Sequence, residues 1–276
     1  MTINDDLDLA LVEASSAGDT AMVDSLLSQG ARVLTESHRA KEMATSLGYV
    51  ILSPNTQDSL ALRLAASHGH AECVALLIGP ADSKHASSAA LSWAARKGHA
   101  ECVRLLIPAA DLSLNGSALL LAAGEGHAEC VELLLPVSDF NVNTALHVAA
   151  EEGHAGCVAI LSPHCSVAFN TFCLQLSAGN GHAECVLALI PASEPLASDP
   201  DGFFAAVGKG YASVVAVMLS HDPRLLDLLE LSSASEAYAR GRTPELGALL
   251  ASALERQEIS AKTLSAEFRA SSAPRL

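Results

Sequence analysis

The stretch NTALHVAAEEGHAGCVAIL, residues 143–161, divides into two short segments at a single glycine. The first segment, ALHVAAEE, is apolar and rich in alanine. In the second, AGCVAIL, cysteine, valine and leucine recur at three- and four-residue offsets, which indicates a helix with one buried face. Gly153 lies between them and suits the left-handed backbone conformation in which many helices end. The stretch therefore predicts two helices joined by a tight turn.

The same unit recurs along most of the chain. The word GHAECV or GHAGCV begins at five glycines and the degenerate word GYASVV at a sixth, and successive glycines are 27 to 29 residues apart: Gly69, Gly98, Gly126, Gly153, Gly181 and Gly210. Weaker copies begin at Gly18 and Gly241. Two helices this short cannot bury their apolar faces alone, so the units are expected to stack. We predict an all-α repeat solenoid over residues 1–251, with about eight units including an irregular one at 31–58. A C-terminal capping helix and a frayed tail are expected at residues 252–276.

Residues that recur at fixed places in the unit are expected to build the core or to end the helices. Leu133, one of the leucines that close the second helices, is expected to be buried. Trp93 occupies a position that is apolar in the other units, so core packing is favoured over a role in binding. A proline follows the leucines in five units and is expected to stop the second helix. These prolines are Pro80, Pro108, Pro136, Pro163 and Pro191.

Histidine and cysteine recur as H-x-x-C in five units, and both residue types are common zinc ligands. The pairs are His70/Cys73, His99/Cys102, His127/Cys130, His154/Cys157 and His182/Cys185. Degenerate copies place Met22 and Val214 at the cysteine position, which favours apolar packing. Stacked helices lie about 10 Å apart, too far for neighbouring cysteines to share an ion or form a disulfide. We predict no metal and no cofactor, histidines that bond the backbone at the turn, and free thiols suited to a reducing compartment.

Composition excludes several function classes. The chain has 31 acidic and 16 basic residues, a formal net charge of −15, and 4% aromatic residues. Such a charge repels nucleic acid, and few aromatic rings are present to stack on bases. No apolar run approaches the roughly 20 residues of a membrane-spanning helix, and no signal peptide is visible. No catalytic motif is found. We therefore expect a cytoplasmic protein that is not an enzyme and binds neither nucleic acid nor membranes.

The repeated unit resembles the ankyrin repeat. Residues 143–161 are similar to that family's core pattern T-x-L-H-x-A-A-x-x-G-H-x-x-x-V-x-x-L-L, and the resemblance covers roughly residues 10–251. Ankyrin units typically have about 33 residues. The shorter units here lack residues between the leucines and the next first helix, where ankyrin repeats carry a β-hairpin finger. The resemblance, closest to short-period bacterial ankyrin arrays, implies an all-α, ankyrin-like solenoid with shortened or absent fingers.

The resemblance also implies a binding surface. In ankyrin repeats the two residues before the turn glycine face the concave side, where partner proteins bind. The matching positions change identity from unit to unit, and the candidate partner-binding residues are Ser67, His68, Arg96, Lys97, Glu125, Glu151, Glu152, Asn180 and Lys209. The carboxylates among them favour a partner protein with a basic segment. We predict a monomeric recognition protein; the alternatives are a bacterial effector, a toxin inhibitor or immunity protein, an endogenous scaffold, and a targeting subunit of a separate enzyme.

Overall fold

Helices dominate the computed structural model, which describes residues 3–33, 59–81, 84–111, 116–138, 141–231 and 244–271. Two compact units are distinguished, Met1–Ala149 and Ala150–Leu276, and the boundary between them falls within one helix. Each unit is described separately below.

The unit Met1–Ala149 is built from helix pairs. Its helices are α1 Ile3–Ala17, α2 Thr20–Ser28, α3 Leu60–His68, α4 Ala71–Ala81, α5 Lys84–Lys97, α6 Ala100–Leu106, α7 Gly116–Gly124, α8 Ala128–Leu134 and most of α9, Val142–Glu152. The first helices of successive pairs pack on one another, α1 on α3, α3 on α5 and α5 on α7. The second helices do the same, α2 on α4, α4 on α6 and α6 on α8. The result is two parallel layers of helices with the core between them.

The unit Ala150–Leu276 repeats this arrangement. Its helices are the end of α9, then α10 Ala155–Leu161, α11 Val167–Asn180, α12 Ala183–Leu189, α13 Asp201–Lys209, α14 Ala212–His221, α15 Leu225–Leu231 and α16 Pro244–Ser271. First helix α11 packs on α13, and second helix α12 lies between α10 and α14. Helix α16 packs against α14.

The second helices α4, α6, α8, α10, α12 and α14 bury the same three positions, whereas in α2 the first of them, Met22, is 48% exposed and was wrongly expected to pack in the core. In α8 they are Cys130, Val131 and Leu134, each at most 1% exposed. Leu133 is only half-buried, so the prediction that it belongs to the core was wrong. Adjacent residues on a helix are about 100° apart around its axis, so only one leucine of the pair can point fully into the core.

The turn within each pair uses a glycine in the left-handed region, as predicted. The φ angles of Gly18, Gly69, Gly98, Gly126, Gly153, Gly181 and Gly210 lie between 77° and 87°. At the end of α3, the amide of His70 donates to the carbonyl of Ala65 at 2.9 Å, and the amide of Gly69 donates to that of Ala66 at 3.3 Å. These bonds satisfy carbonyls that the helix itself leaves without partners.

The histidine after this glycine joins neighbouring pairs. Nε2 of His127 donates to the carbonyl of Arg96 in the preceding pair at 3.0 Å. Its ring lies against Gly98, where a Cβ atom would be 2.5 Å from Nδ1. We call this arrangement the histidine–glycine clasp; it is also formed by His70 with Gly18, His99 with Gly69 and His182 with Gly153. The prediction that the turn histidines bond the backbone is confirmed for His70, His99, His127 and His182, and each bond links two repeats.

The last clasp is built from two residues. Tyr211 replaces the histidine, and its ring lies against Gly181 at 3.2 Å from the position of a Cβ atom. Lys209 Nζ donates to the carbonyl of Gly179, which is the carbonyl position that histidine bonds elsewhere. Lysine thus supplies the hydrogen bond that tyrosine at this position does not make.

Replacing Lys209 by alanine is expected to lower the free energy of unfolding by about 0.5–1.5 kcal/mol, the usual contribution of one hydrogen bond. Adding Tyr211→His to that variant should restore most of the loss, because the imidazole can then reach the carbonyl of Gly179. Chemical denaturation of the two single variants and the double variant provides the measurement. If the loss in the double variant equals the sum of the two single losses or exceeds it, histidine does not replace the lysine hydrogen bond.

The connections between pairs are short turns in place of hairpins. In four of them a single 3-10 turn with proline at its second position follows the second helix: Ile107–Ala109, Leu135–Val137, Ser162–His164 and Ile190–Ala192. No strand occurs in the part of the chain that the structure describes. The predicted all-α fold without extended fingers is confirmed.

Pro80 is an exception to the predicted stop. Helix α4 continues through Pro80 to Ala81. The residue before a proline is disfavoured in a helix largely because its Cβ meets the pyrrolidine ring. Gly79 precedes Pro80 and has no Cβ, so the helix can continue for its last turn.

The first pair packs directly against the pair that begins at residue 60. Helix α1 contacts α3, and Nε2 of His70 donates to the carbonyl of Ser16 at 3.2 Å. Most of the segment interpreted as an irregular unit, residues 31–58, lies outside the described residues. At its start, buried Asp8 accepts from the amide of Arg32 at 2.6 Å and pairs with its guanidinium at 2.7 Å.

The C-terminal helix α16 is 28 residues long. It begins at Pro244 and buries Leu246 and Leu250. It runs without interruption through residues 251 and 252, where the sequence suggested a boundary between solenoid and capping helix. That domain division stays a prediction.

Candidate functional site

The residues before the turn glycine are nearly all exposed. Ser67 differs: it is 5% exposed, and its hydroxyl donates to the carbonyl of Leu64 at 3.0 Å. Ser67 is therefore not available to a partner, because its side chain turns back onto its own helix. The other candidates are exposed: His68, Arg96, Lys97, Glu125, Glu151, Glu152, Asn180 and Lys209.

Two of the exposed candidates also hold the repeats together. Nδ2 of Asn180 donates to the carbonyl of Glu151 at 3.4 Å, beside the bond that His182 makes to the same carbonyl at 2.8 Å. Lys209 bonds the carbonyl of Gly179, as described above. A change at either residue would therefore affect repeat packing as well as any binding.

In the unit Met1–Ala149, a charged and aromatic cluster lies at the ends of first helices α5 and α7. Arg96 Nε donates to Glu125 Oε1 of the next pair at 3.2 Å. The guanidinium carbon of Arg96 lies 5.7 Å from the centre of the Trp93 ring, a cation–π distance. Trp93 is half-buried, so it belongs partly to this surface. The sequence-based expectation of core packing therefore describes only its buried part. The structure thus pairs Arg96 with Glu125, and both are candidate partner-binding residues predicted from the sequence.

In the unit Ala150–Leu276, helix α11 presents an aromatic face that the sequence-based set omitted. Phe172 is 48% exposed, and its ring centre is 6.0 Å from that of Phe169. Leu176, one turn further along, is half-buried. The signal for this face was helical periodicity: positions nine, five and two residues before the glycine share one side of the first helix. The candidate set missed this face because it contained only the last two residues of each first helix.

The cysteines behave as buried apolar residues. None of the seven forms a disulfide, and six of them are buried; Cys165 is half-buried. Burial raises the pKa of Cys102, Cys157 and Cys185 to about 11 and that of Cys173 to about 12. Among the residues that the structure describes, no group of three or more His, Cys, Asp or Glu side chains could hold a metal ion. Thiols in this state are poor nucleophiles because the reactive form is the thiolate.

The arrangement defines a class of protein. Two helices joined by a glycine turn form each pair, the pairs stack, the core is repeated, and the surface of the first helices varies. Comparison with known proteins agrees with it. A family model described as ankyrin repeats, three copies, matches residues 11–116 and 91–171. The chain belongs to the ankyrin repeat family. The sequence matches none of the curated proteins.

A solved structure shares the fold. The human ASB11 ankyrin repeat domain, known from its crystal structure, aligns over 85% of this chain and 98% of that chain, with a TM-score of 0.53 and 22% identity. At this level of identity the likeness concerns the fold alone. Ankyrin repeats form a protein–protein interaction module, and the family is one of non-catalytic scaffolds.

Within the described ranges, no helix is both long enough and apolar enough to cross a membrane.

Proposed function

We propose that this protein recognises a partner protein through the exposed faces of its first helices, the concave face of ankyrin repeats, and acts by binding without catalysis. One observation carries the proposal. The buried residues of the pairs are nearly identical, whereas the exposed first-helix position nine residues before the glycine is occupied by Ser117, Thr144, Phe172 and Asp201 in four pairs. Residues that differ while the scaffold is repeated are those that can encode specificity.

The charge of this surface supports a partner with a basic segment. Glu125 already pairs with Arg96 in the same unit, so part of its charge is compensated. Glu151 and Glu152 both expose their side chains at the end of α9. Exposed charges of this kind increase the rate of encounter with an oppositely charged partner and are weakened by salt.

The proposal places the protein, as a monomer, in a reducing cytoplasm, in keeping with seven cysteines that form no disulfide. Phosphate-rich partners, nucleic acid and anionic lipid alike, are disfavoured by the net charge of −15. Binding alone would serve a bacterial effector, an inhibitor or immunity protein, a scaffold or a targeting subunit, and all four share the surface proposed here.

Reversing Glu151 and Glu152 to lysine is expected to weaken partner binding about ten-fold or more at low salt, because a complementary charge becomes a repulsive one. Purified wild-type and variant chains would be used to capture proteins from host and native lysates. Captured proteins are then quantified by mass spectrometry. The reversed variant should lose the proteins that the wild type retains.

The matched control reverses Glu132 and Glu184, two exposed carboxylates on second helices, to lysine. It changes the net charge equally and should leave binding intact, and both variants should melt close to the wild type. Loss of binding in the control with retention in the first-helix variant would show that the proposed surface is incorrect.

A further inference from the structure

An exposed aromatic face on helix α11 is the least expected feature of the surface. Phe172 is 48% exposed and contacts Phe169 through tilted rings 6.0 Å apart. Leu176 continues the face toward Gly179, at the three- and four-residue offsets that align one side of a helix. Large aromatic side chains on an exposed helix face are characteristic of interaction sites rather than of scaffold packing.

The fold itself does not require an aromatic residue at position 172. Where the equivalent position of another first helix is exposed, it is polar: Ser117, Thr144 and Asp201. In the first three helix pairs it is aliphatic and at least half-buried, as Leu9, Leu60 and Ala89. Burial of the neighbouring core residues Cys173 and Leu174 holds α11 in place from the opposite side. Phe172 therefore adds apolar surface without serving the repeat core.

Four exposed carboxylates and one exposed lysine lie on the elements next to this face. Asp201 is exposed at the start of α13, which packs along α11. Exposed Glu194 is held beside α11 because its amide donates to Thr171 Oγ1 at 2.9 Å. The exposed side chains of Glu151 and Glu152 lie at the end of α9, which His182 ties to the turn that follows α11. Lys209 is the one lysine or arginine that the described residues place there, and its Nζ donates to the carbonyl of Gly179. An apolar face whose rim carries these four carboxylates and one lysine is net negative, and it is complementary to an apolar side chain flanked by positive charges.

We infer that the α11 face, Phe169, Phe172 and Leu176, receives a protein segment with one aromatic or large aliphatic anchor flanked by lysine or arginine. The anchor packs on the phenylalanine rings, and the basic residues pair with the carboxylates of the rim. Cations also bind the faces of aromatic rings, which strengthens the preference for basic neighbours. This inference rests on the proposed function and names the partner's chemistry.

A random peptide library displayed on phage and selected against the full chain provides the probe. Enriched peptides should carry an aromatic or large aliphatic residue within three positions of a lysine or arginine. Synthetic versions should bind the Phe172→Thr variant at least ten-fold more weakly than the wild type, and binding should weaken with salt. Threonine is chosen because Thr144 occupies the equivalent position.

The matched control is Leu187→Ser, which removes another exposed apolar side chain, 42% exposed, from second helix α12 of the same pair. It should bind the peptides like the wild type, and both variants should keep the wild-type melting temperature. Enrichment of acidic peptides, enrichment of none, or equal binding to the Phe172→Thr variant would overturn the inference. A wild-type dimer in sedimentation that Phe172→Thr dissociates would overturn it as well, because the occupant is then a second copy.

The same experiment distinguishes failure of this inference from failure of the proposed function. Peptides that bind the Phe172→Thr variant as well as the wild type, but no longer bind when Arg96 and Lys97 are changed, would refute the α11 inference. They would still support binding at the first-helix surface. Peptides that bind every first-helix variant but are lost in Leu187→Ser would refute both.

Discussion

Raising the pH from about 8.5 to about 10.5 is expected to lower the stability of this protein steeply. Burial raises the thiol pKa values of Cys102, Cys157 and Cys185 from about 9 to about 11. Between these values the unfolded chain has lost thiol protons that the folded chain keeps, so unfolding releases protons and becomes easier as pH rises. Each thiol can contribute up to about 1.4 kcal/mol per pH unit. Below the unfolded pKa the thiols should have no effect.

The test compares thermal unfolding across this pH range for the wild type and a variant with valine at all three positions. Valine fits because Val214 occupies the same position, fully buried, in the last helix pair. The variant should lose much of the alkaline decline while melting normally at pH 7. Tyrosines and lysines also titrate in this range and affect both proteins equally. An identical decline in the two would show that the buried thiols are not its cause.

Replacing Gly98 by alanine is expected to lower the free energy of unfolding by about 2–5 kcal/mol, from left-handed backbone strain and from overpacking. The residue has a φ of 77°, and a Cβ atom there would lie 2.5 Å from Nδ1 of His127. The imidazole cannot retreat without breaking its bond to the carbonyl of Arg96. Denaturant unfolding of the variant measures the loss.

Gly30 offers a control that separates the two causes. Its φ is 90°, but an added Cβ would have no atom within 4 Å. Gly30→Ala should therefore cost only the backbone strain, about 1–2 kcal/mol. Adding His127→Ala to Gly98→Ala should recover part of the steric loss. If Gly30→Ala and Gly98→Ala are equally destabilising, the histidine–glycine clasp contributes nothing to the cost.

The fold was largely predictable because the repeat period, the turn glycine and the apolar stripe are local signals. The word repeated in five units made their glycine turns and their five buried cysteines foreseeable, whereas the buried Cys173 lies outside it. The partner of the turn histidines was harder to foresee. Residues that are 31 apart in the chain, such as Arg96 and His127, meet only because the pairs stack.

The surface was less predictable because exposure depends on which side of a helix a residue occupies. Ser67 matches exposed residues in other pairs, yet its side chain is buried against its own helix. Trp93 lies at a position whose partial exposure becomes visible only when the neighbouring helices are in place. Phe172 could have been found from helical periodicity, but the candidate set was limited to the last two residues of each first helix. Helix α4 continues through Pro80, which is preceded by a glycine. The expectation that proline ends the helix did not take the preceding residue into account.

The clasp between Gly18 and His70 shows that the repeats tolerate chain insertion at their connections. These two residues are 52 apart, whereas the other clasps join residues 29 or 30 apart, and yet the same carbonyl bond and ring contact form. The entropy cost of a longer connection rises only slowly with its length. Evolution or an engineer can therefore place a foreign sequence between α2 and α3 and leave the adjoining helix pairs in register.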